Sequence, residues 1–195
     1  FAMDAIAMNG LRMNMAIDID DSALLAKVAE IENAAASIHD GATAIANNRR
    51  LLAGAAHLGI PVFVSEQYVR GLGPTVPELL PLPAGTERFE KTHFSCTREA
   101  GVLDRLAASG RRQILVTGME THVCVLQTVL GLLAAGYAVF LIEDAASSRT
   151  PANRAAAISR MRDAGAHIVT TEMVLFEWLE RAGTDEFRTL LPLIK

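Results

Sequence analysis

The sequence contains only two cysteines, Cys96 and Cys124, among its 195 residues. The opening residues 1–8 lack the basic segment that begins a secretory signal peptide, so export is not expected. Without export the expected location is the cytoplasm, where cysteines are kept as reduced thiols. The two cysteines therefore predict free thiols rather than a disulfide.

Features that mark several other classes of protein are also missing. No apolar run approaches the roughly 20 residues that a helix needs to span a bilayer. The formal net charge of −4 argues against a general nucleic-acid surface. Neither Gly-x-Gly-x-x-Gly after the first predicted strand nor Gly-Lys-Ser/Thr occurs, so the motifs that cradle nucleotide phosphates are absent. We therefore expect a small-molecule substrate and no membrane or nucleic-acid partner.

The chain has the composition of an ordinary globular domain. It is 51% hydrophobic and 21% charged, and its length suffices for one domain with a full core. No internal repeat, low-complexity tract or linker divides it. We expect a single domain over residues 1–195, with residues 1–10 outside the folded part.

Short apolar runs alternate with helical patterns along the chain. The predicted strands or extended segments are Met13–Ile19, Pro61–Ser65, Arg88–Cys96, Ile114–Val116, Tyr137–Glu143 and Ala166–Thr170. The predicted helices are Thr43–Leu58, Arg98–Ser109, Val123–Ala135, Pro151–Ala164, Met173–Arg181 and Asp185–Leu193. Residues 22–39 fit either a helix or an irregular segment, and residues 66–83 are predicted to be a long loop. This alternation predicts a three-layer α/β/α, Rossmann-like fold around a mostly parallel sheet.

Cys124 stands in the first turn of a helix that follows a strand broken at Gly118. The start of a helix carries partial positive charge and free N–H donors, which favour a thiolate over a thiol. This position is typical of a nucleophilic cysteine. The alternative is a small buried residue between helix and sheet, which is also common for free cysteine. For Cys96 we expect a place in the core or in the pocket wall.

Two charged residues are candidates to act with this thiol, because ligands in such sheets bind at the carboxyl ends of the strands. Asp18 closes the first predicted strand, where a carboxylate can take the thiol proton; the alternative is a solvated aspartate. Lys91 is one of only three lysines, and its compact ammonium suits the stabilisation of a thiolate. Its alternative is a surface salt bridge of little consequence.

Three segments resemble the motifs of the isochorismatase-like cysteine hydrolases. They are Ala16-Ile17-Asp18, Lys91-Thr-His-Phe-Ser95 and Gly118-Met-Glu-Thr-His-Val-Cys124-Val125. The family includes nicotinamidases and N-carbamoylsarcosine amidohydrolases, and the similarity runs from about residue 13 to the C-terminus. The segment 144–149 is similar as well. The resemblance implies the isochorismatase-like hydrolase fold.

The resemblance also implies roles for individual residues. Asp18 would be the base, Lys91 the group that polarises the pair, and Cys124 the nucleophile. A cis peptide bond would join Met119 to Glu120, and the N–H groups of Glu120 and Cys124 would form an oxyanion hole. The substrate pocket is expected to contain Glu66, Tyr68, Phe94, Met119 and Thr121.

The sequence departs from the nicotinamidase pattern in two places. Nicotinamidases carry a metal site, an aspartate with two histidines, in the region that here reads residues 65–76 and holds no histidine. The five histidines show no ligand spacing either, so we expect no metal and no cofactor. Asp20 stands where the family usually has glutamine, and a second carboxylate there would raise the pKa of Asp18 by like-charge repulsion. Segment 66–74 instead resembles an orphan branch, whose substrates the resemblance does not supply.

These observations favour a cysteine-dependent hydrolase of a small amide, carbamoyl or related carbonyl compound, acting through a thioacyl intermediate. Vinyl-ether hydrolysis of isochorismate is a weaker alternative, since protonation of an enol ether needs no cysteine nucleophile. A non-catalytic scaffold or interaction protein is the alternative from another class, because fold alone does not establish function. A reactive, partly exposed Cys124 would favour an enzyme over a scaffold.

The last two predicted helices are rich in apolar residues for a terminal segment. A single domain of this size can bury only some of them, and an apolar patch left exposed would mark a contact surface. The resemblance implies oligomers as well. We therefore expect a homo-oligomer with closed symmetry.

Overall fold

The computed structural model describes residues 16–27 and 38–194. Their strands form one six-stranded sheet in which every neighbouring pair is parallel, in the order β3-β2-β1-β4-β5-β6. The strands are β1 Ser22–Lys27, β2 Val62–Gln67, β3 Glu87–Lys91, β4 Gln113–Met119, β5 Ala138–Ser147 and β6 His167–Val169. The prediction for residues 1–10 lies outside the described part of the chain.

Helices connect the strands. They are α1 Gly41–Leu58, α2 Val69–Leu72, α3 Val102–Ala108, α4 Leu126–Ala134, α5 Pro151–Asp163, α6 Thr171–Leu179 and α7 Asp185–Ile194. Short 3-10 turns form at Pro77–Leu79 and Cys96–Arg98, and a π-helical turn, Thr121–Val125, leads into α4. Among the described residues, no helix combines the length and apolar character needed to cross a membrane.

The core consists of two buried clusters, one on each face of the sheet. On one face α1 and α6 pack through residues such as Leu51 and Trp178. On the other face α3, α4 and α5 pack through residues such as Leu106, Val129 and Met161. The three-layer α/β/α prediction is therefore confirmed.

Local sequence explains several helix ends. Thr150 caps α5 by accepting a hydrogen bond from the Asn153 N–H (3.2 Å), and Pro151 occupies the first helical position, where its missing N–H costs nothing. Gly59 ends α1 at φ 69°, a left-handed conformation that glycine adopts without a steric penalty.

The first strand is the main error of the sequence prediction. Residues 16–19 are not a strand, and the Asp21 N–H closes a turn onto the Asp18 carbonyl (3.2 Å). The central strand is instead Ser22–Lys27, in a segment for which the sequence pattern predicts a helix or an irregular segment, so neither alternative is correct there. Alanine and lysine are weak strand formers, but pairing with β2 on one side and β4 on the other overrides that preference.

The predicted loop over residues 66–83 is only partly irregular. Its first two residues belong to β2, α2 follows, and a 3-10 turn precedes a cis Leu80–Pro81 bond. Because β2 continues to Gln67, two polar side chains that were assigned to a loop are fixed in the sheet. This placement determines much of the site described next.

Candidate active site

The carboxyl ends of β2, β3 and β4 meet at one edge of the sheet, because neighbouring parallel strands run in the same direction. Gln67 ends β2 and Lys91 ends β3, and the two are paired in register. Cys124 lies in the π-helical turn that follows β4. The side chains of these three residues converge.

Lys91 is almost completely buried, with 2% of its surface exposed. Its Nζ donates hydrogen bonds to Oε1 of Gln67 and to the backbone carbonyls of His93 (3.0 Å) and Phe94 (3.1 Å). A buried ammonium is costly unless it is hydrogen-bonded, and these acceptors meet that requirement. They hold the ammonium at one position beside the turn that carries Cys124.

Gln67 connects the lysine to the cysteine. Its Nε2 donates to the Thr92 carbonyl (2.9 Å), which turns Oε1 toward Lys91. The same Oε1 lies 3.9 Å from Sγ of Cys124, so the thiol can donate a weak hydrogen bond to it. Sequence reasoning missed Gln67, since only its register opposite Lys91 distinguishes it from the neighbouring polar residues.

The backbone before Cys124 has the predicted form. The Met119–Glu120 peptide bond is cis, and Gly118 precedes it at φ 103°. The N–H groups of Val123 and Val125 both donate to the Glu120 carbonyl (3.2 Å each), which joins the turn to the helix. Cys124 thus stands in the first helical turn after a strand.

Both cysteines are free thiols, as predicted, and both are buried. Cys124 is 3% exposed and Cys96 is 0% exposed, with Cys96 in the core beside α3 and α4. By exposure alone, Cys124 does not meet the criterion that would separate an enzyme from a scaffold. Cys124 differs from Cys96 in its neighbours, because Gln67 contacts its thiol and also accepts a hydrogen bond from Lys91.

Asp18 lies at the opposite edge of the sheet. Its N–H donates to Oε1 of Gln113 (2.8 Å), the first residue of β4, whereas Cys124 follows the last. The seven residues of β4 span roughly 20 Å at about 3.3 Å per residue. A carboxylate that far away cannot take the thiol proton, so the general-base prediction for Asp18 is wrong, and Asp20 has no bearing on the site.

Glu66 does not line a substrate pocket either. It is 4% exposed, and Oε1 accepts hydrogen bonds from the Thr75 N–H (2.9 Å), the Thr75 hydroxyl (2.5 Å) and Arg88 (2.9 Å). Successive side chains of a strand point to opposite faces, so Glu66 points away from the face of Gln67. Burial alone raises the pKa of the Glu66 carboxyl, but the bonds from Thr75 and Arg88 outweigh it and hold the pKa below its ordinary value.

Glu66→Gln is expected to reduce stability at neutral pH by about 1 kcal/mol, since Arg88 is half exposed and its ion pair is screened. The folded-state pKa of Glu66 is depressed, so its charge stabilises the fold above the ordinary value of 4.5 and ceases to do so as the pH falls through the folded value. The loss should therefore shrink in acid. Urea unfolding at about pH 7 and about pH 3 measures it, with the exposed neighbour Glu90→Gln as control. An equal loss at both pH values would contradict this account.

The other predicted pocket residues divide into two groups. Tyr68 and Phe94 are exposed (56% and 54%) beside Lys91: the Tyr68 N–H donates to the Lys91 carbonyl (2.9 Å), and the Phe94 carbonyl accepts from the ammonium. Met119 is 2% exposed and packs in the core on the α1 face, so its pocket prediction is wrong. Thr121 is fully buried, and its hydroxyl has no partner among the described residues.

A cavity of about 340 Å³ opens at the end of β3, with Lys91 but neither Gln67 nor Cys124 among its lining residues. Tyr68, Arg70, Lys91, Thr92 and Glu99 are among its lining residues. A volume of this size fits a small organic molecule. Within residues 16–27 and 38–194, no group of three or more His, Cys, Asp or Glu side chains is arranged to hold a metal ion.

The two histidines near the site are engaged in pairs. His93 Nδ1 lies 2.6 Å from Oε2 of Glu99. Burial alone raises the pKa of the Glu99 carboxyl, but hydrogen bonds from His93 and from the backbone of Thr92 and His93 hold it below its ordinary value. His122 Nδ1 lies 3.1 Å from the Ser148 hydroxyl and 3.5 Å from Glu120, which also pairs with Arg149 (2.9 Å).

Comparison with known proteins agrees with this architecture. The isochorismatase domain matches residues 16–173. Isochorismatase family protein 1A of Dictyostelium discoideum is 43% identical over 142 residues, which are 70% of this chain and 68% of that protein.

Two solved structures are also similar. The MAR1 ribonuclease of Caenorhabditis elegans superposes with a TM-score of 0.86 at 35% identity, covering 92% of each chain. The Escherichia coli YcaC gene product, described as an octameric hydrolase of unknown specificity, gives a TM-score of 0.86 at 23% identity over 92% of this chain and 91% of that one, which shows the fold alone. The domain match covers most of the chain, and the Dictyostelium protein is 43% identical to it. This chain therefore belongs to the isochorismatase domain family, a family of isochorismatase-like hydrolases.

Proposed function

We propose that the protein is a cysteine-dependent hydrolase of a small amide, carbamoyl or related carbonyl compound. One observation carries the proposal: a buried ammonium and a helix-start thiol converge on one amide oxygen, at the sheet edge where parallel α/β folds bind their ligands. Positive charge from Lys91 and from the helix start both favour the thiolate of Cys124. A structural cysteine requires neither.

The reaction proceeds through a thioacyl intermediate. Cys124 ionises, with its proton released to solvent, and Sγ attacks the carbonyl carbon. The C–N bond breaks, the nitrogen takes a proton from solvent and leaves as ammonia or an amine, and the acyl group stays on sulfur. Water then adds to the thioester, the C–S bond breaks, the acid is released as product and the thiol is regenerated.

The negative charge that develops on the carbonyl oxygen needs donors aimed at it. We assign this role to the backbone N–H groups of Glu120 and Cys124. Cys124 lies in the first helical turn, where N–H groups lack the partners they have in mid-helix, and Glu120 immediately precedes that turn. Their contribution comes from the backbone, so the side chain of Glu120 remains paired with Arg149 throughout.

A panel of small amides, carbamates and ureas, assayed for ammonia or acid release, tests the proposal. We expect at least one compound to be hydrolysed by the native protein, with no loss of rate after treatment with a chelator. Complete inactivity across the panel with an unreactive Cys124 would favour the scaffold alternative. Isochorismate belongs in the panel, since its turnover by a Cys124→Ala variant would indicate vinyl-ether hydrolysis without a nucleophilic thiol.

Cleavage of RNA is a second candidate, favoured by the 35% identity to the chain described as MAR1 ribonuclease. The net charge of −4 opposes it, because binding to a polyphosphate backbone depends on clustered cations. Incubation with single-stranded RNA at low salt separates the two activities. We expect the RNA to remain intact under conditions in which an amide is hydrolysed.

We also propose that the protein is a homo-oligomer. Met173 and Phe176 lie on α6 with more than 40% of their surface exposed (45% and 42%), which leaves apolar area available for a contact. The YcaC structure of the same fold is described as octameric. Light scattering at micromolar concentration should give a multiple of 20.9 kDa, and a value equal to one chain would refute the proposal.

A further inference from the structure

We infer that Gln67 is a positioning residue that sets the ionisation of Cys124, by holding a neutral oxygen between the Lys91 ammonium and the thiol. The inference rests on the proposed function only in taking Cys124 as the working thiol. Gln67 is 6% exposed and ends β2 directly opposite Lys91. Its Oε1 accepts from Lys91 Nζ and lies 3.9 Å from Cys124 Sγ.

The orientation of the amide is determined by its other partner. Nε2 donates to the Thr92 carbonyl (2.9 Å), and an acceptor at that place selects the nitrogen of the amide. The oxygen must then face the ammonium and the sulfur. A flipped amide would point its N–H groups at Lys91 and a carbonyl at a carbonyl, so both ends of Gln67 specify the same orientation.

A neutral acceptor and a carboxylate would act differently at this position. The amide oxygen accepts from Lys91 without placing a negative charge beside the thiol. It also accepts the S–H of the un-ionised thiol. A carboxylate would add a negative charge next to the ammonium and repel a thiolate 3.9 Å away, so it would disfavour the thiolate form of Cys124.

Several charged groups around this cluster have partners of their own among the described side chains. On the segments next to Cys124, Glu120 pairs with Arg149, and His122 contacts Ser148 and Glu120. Beyond β3, His93 pairs with Glu99.

Groups on the neighbouring elements are also engaged. Glu66 pairs with Arg88 on the opposite face of the sheet. Arg154 of α5 donates to the carbonyls of Glu143 and Ala146. Lys91 and Cys124 share one hydrogen-bond acceptor, Oε1 of Gln67.

The test is the pH dependence of Cys124 alkylation by iodoacetamide, read by peptide mass spectrometry, in Gln67→Glu. The midpoint should rise by about one pH unit or more relative to the native protein. Gln113→Glu is a matched control: Gln113 is a buried glutamine at the far edge of the sheet, whose Nε2 also donates to a carbonyl (Ala16, 3.0 Å) and whose Oε1 also accepts. The control should leave the midpoint unchanged.

A second variant keeps the inference testable if Gln67→Glu does not fold. Gln67→Met removes the acceptor at similar volume, so the thiol loses its hydrogen-bond partner and Lys91 is no longer shared with an oxygen. The midpoint should then fall. Midpoint shifts of opposite direction in Gln67→Glu and Gln67→Met support the inference, because a general disturbance of the fold would not reverse the direction of the shift with the charge of the new side chain. Unchanged midpoints, or shifts in the same direction, overturn it.

The outcome is independent of the substrate panel. If the panel fails while the two midpoints shift as expected, the proposed function is wrong and the role of Gln67 stands. If a substrate is hydrolysed while both midpoints stay at the native value, the proposed function stands and the role of Gln67 is wrong.

Discussion

Replacing Cys124 with alanine is expected to abolish hydrolysis of any active compound in the panel, by about 10³-fold or more, because no other group can form the thioacyl intermediate. Cys96→Ala removes the only other thiol and should retain most of the activity. Initial rates at saturating substrate, with folding checked by circular dichroism, provide the measurement. Activity that survives Cys124→Ala would exclude covalent catalysis.

The native protein should show the same difference between its two thiols. Iodoacetamide below about pH 7 is expected to modify Cys124 well before Cys96, because Lys91 and the helix start favour the thiolate of Cys124 alone. Faster labelling of Cys96, or labelling of both only above about pH 8, would contradict the nucleophile assignment. Asp18→Asn is a further control: with Asp18 at the far edge of the sheet, labelling and hydrolysis should both stay unchanged.

Lys91→Met is expected to have the second large effect, lowering the rate by about 10²-fold or more and stability by about 3 kcal/mol. The rate falls because the thiolate loses the positive charge that shares a hydrogen-bond partner with it. Stability falls because the Gln67 amide and two backbone carbonyls lose a charged donor in a buried place. Lys91→Arg should not restore the rate, since the larger planar guanidinium does not fit the position of a compact ammonium.

Arg88→Met is the matched control for Lys91→Met. It removes a cation that also pairs with a buried acceptor, Glu66, but on the opposite face of the sheet. Stability should fall modestly, and the pH dependence of Cys124 labelling should not change. If Lys91→Met instead leaves the labelling midpoint and the rate near native values, Lys91 is a structural residue.

The local sequence pattern around Cys124 was enough to predict its place at the start of a helix. An apolar run, a glycine and a helical repeat place the cysteine in a first helical turn whatever the rest of the fold, because strand, break and helix start are all short-range features. Lys91 was found because an isolated lysine in an arginine-rich chain suggests a special position. The family resemblance added the Met119–Glu120 cis bond, which the structure contains.

The position of Asp18 could not be predicted in the same way. The segment Met13–Ile19 has the pattern of a strand, whereas the segment that begins at Ser22 fits a helix or an irregular segment by its sequence pattern. The first segment contains Asp18, in a stretch that resembles a family motif. Only the pairing of the second segment with β2 and β4 shows which of them enters the sheet. Because the second segment forms the strand, Asp18 lies beside the first residue of β4 and not at the end of the sheet near Cys124.

The amino-acid sequence by itself determined the α/β architecture and the helix-start cysteine, because both follow from periodicity and turn residues within a few positions, and the scarcity of lysine singled out Lys91. Tertiary structure decided that Gln67, and not Glu66 or Asp18, joins Lys91 beside that cysteine. Glu66 and Gln67 are adjacent in sequence, yet one pairs with Arg88 on one face and the other meets Lys91 and Cys124 on the opposite face. Side chains alternate along a strand, so the length of β2 and its register with β3 settle their roles.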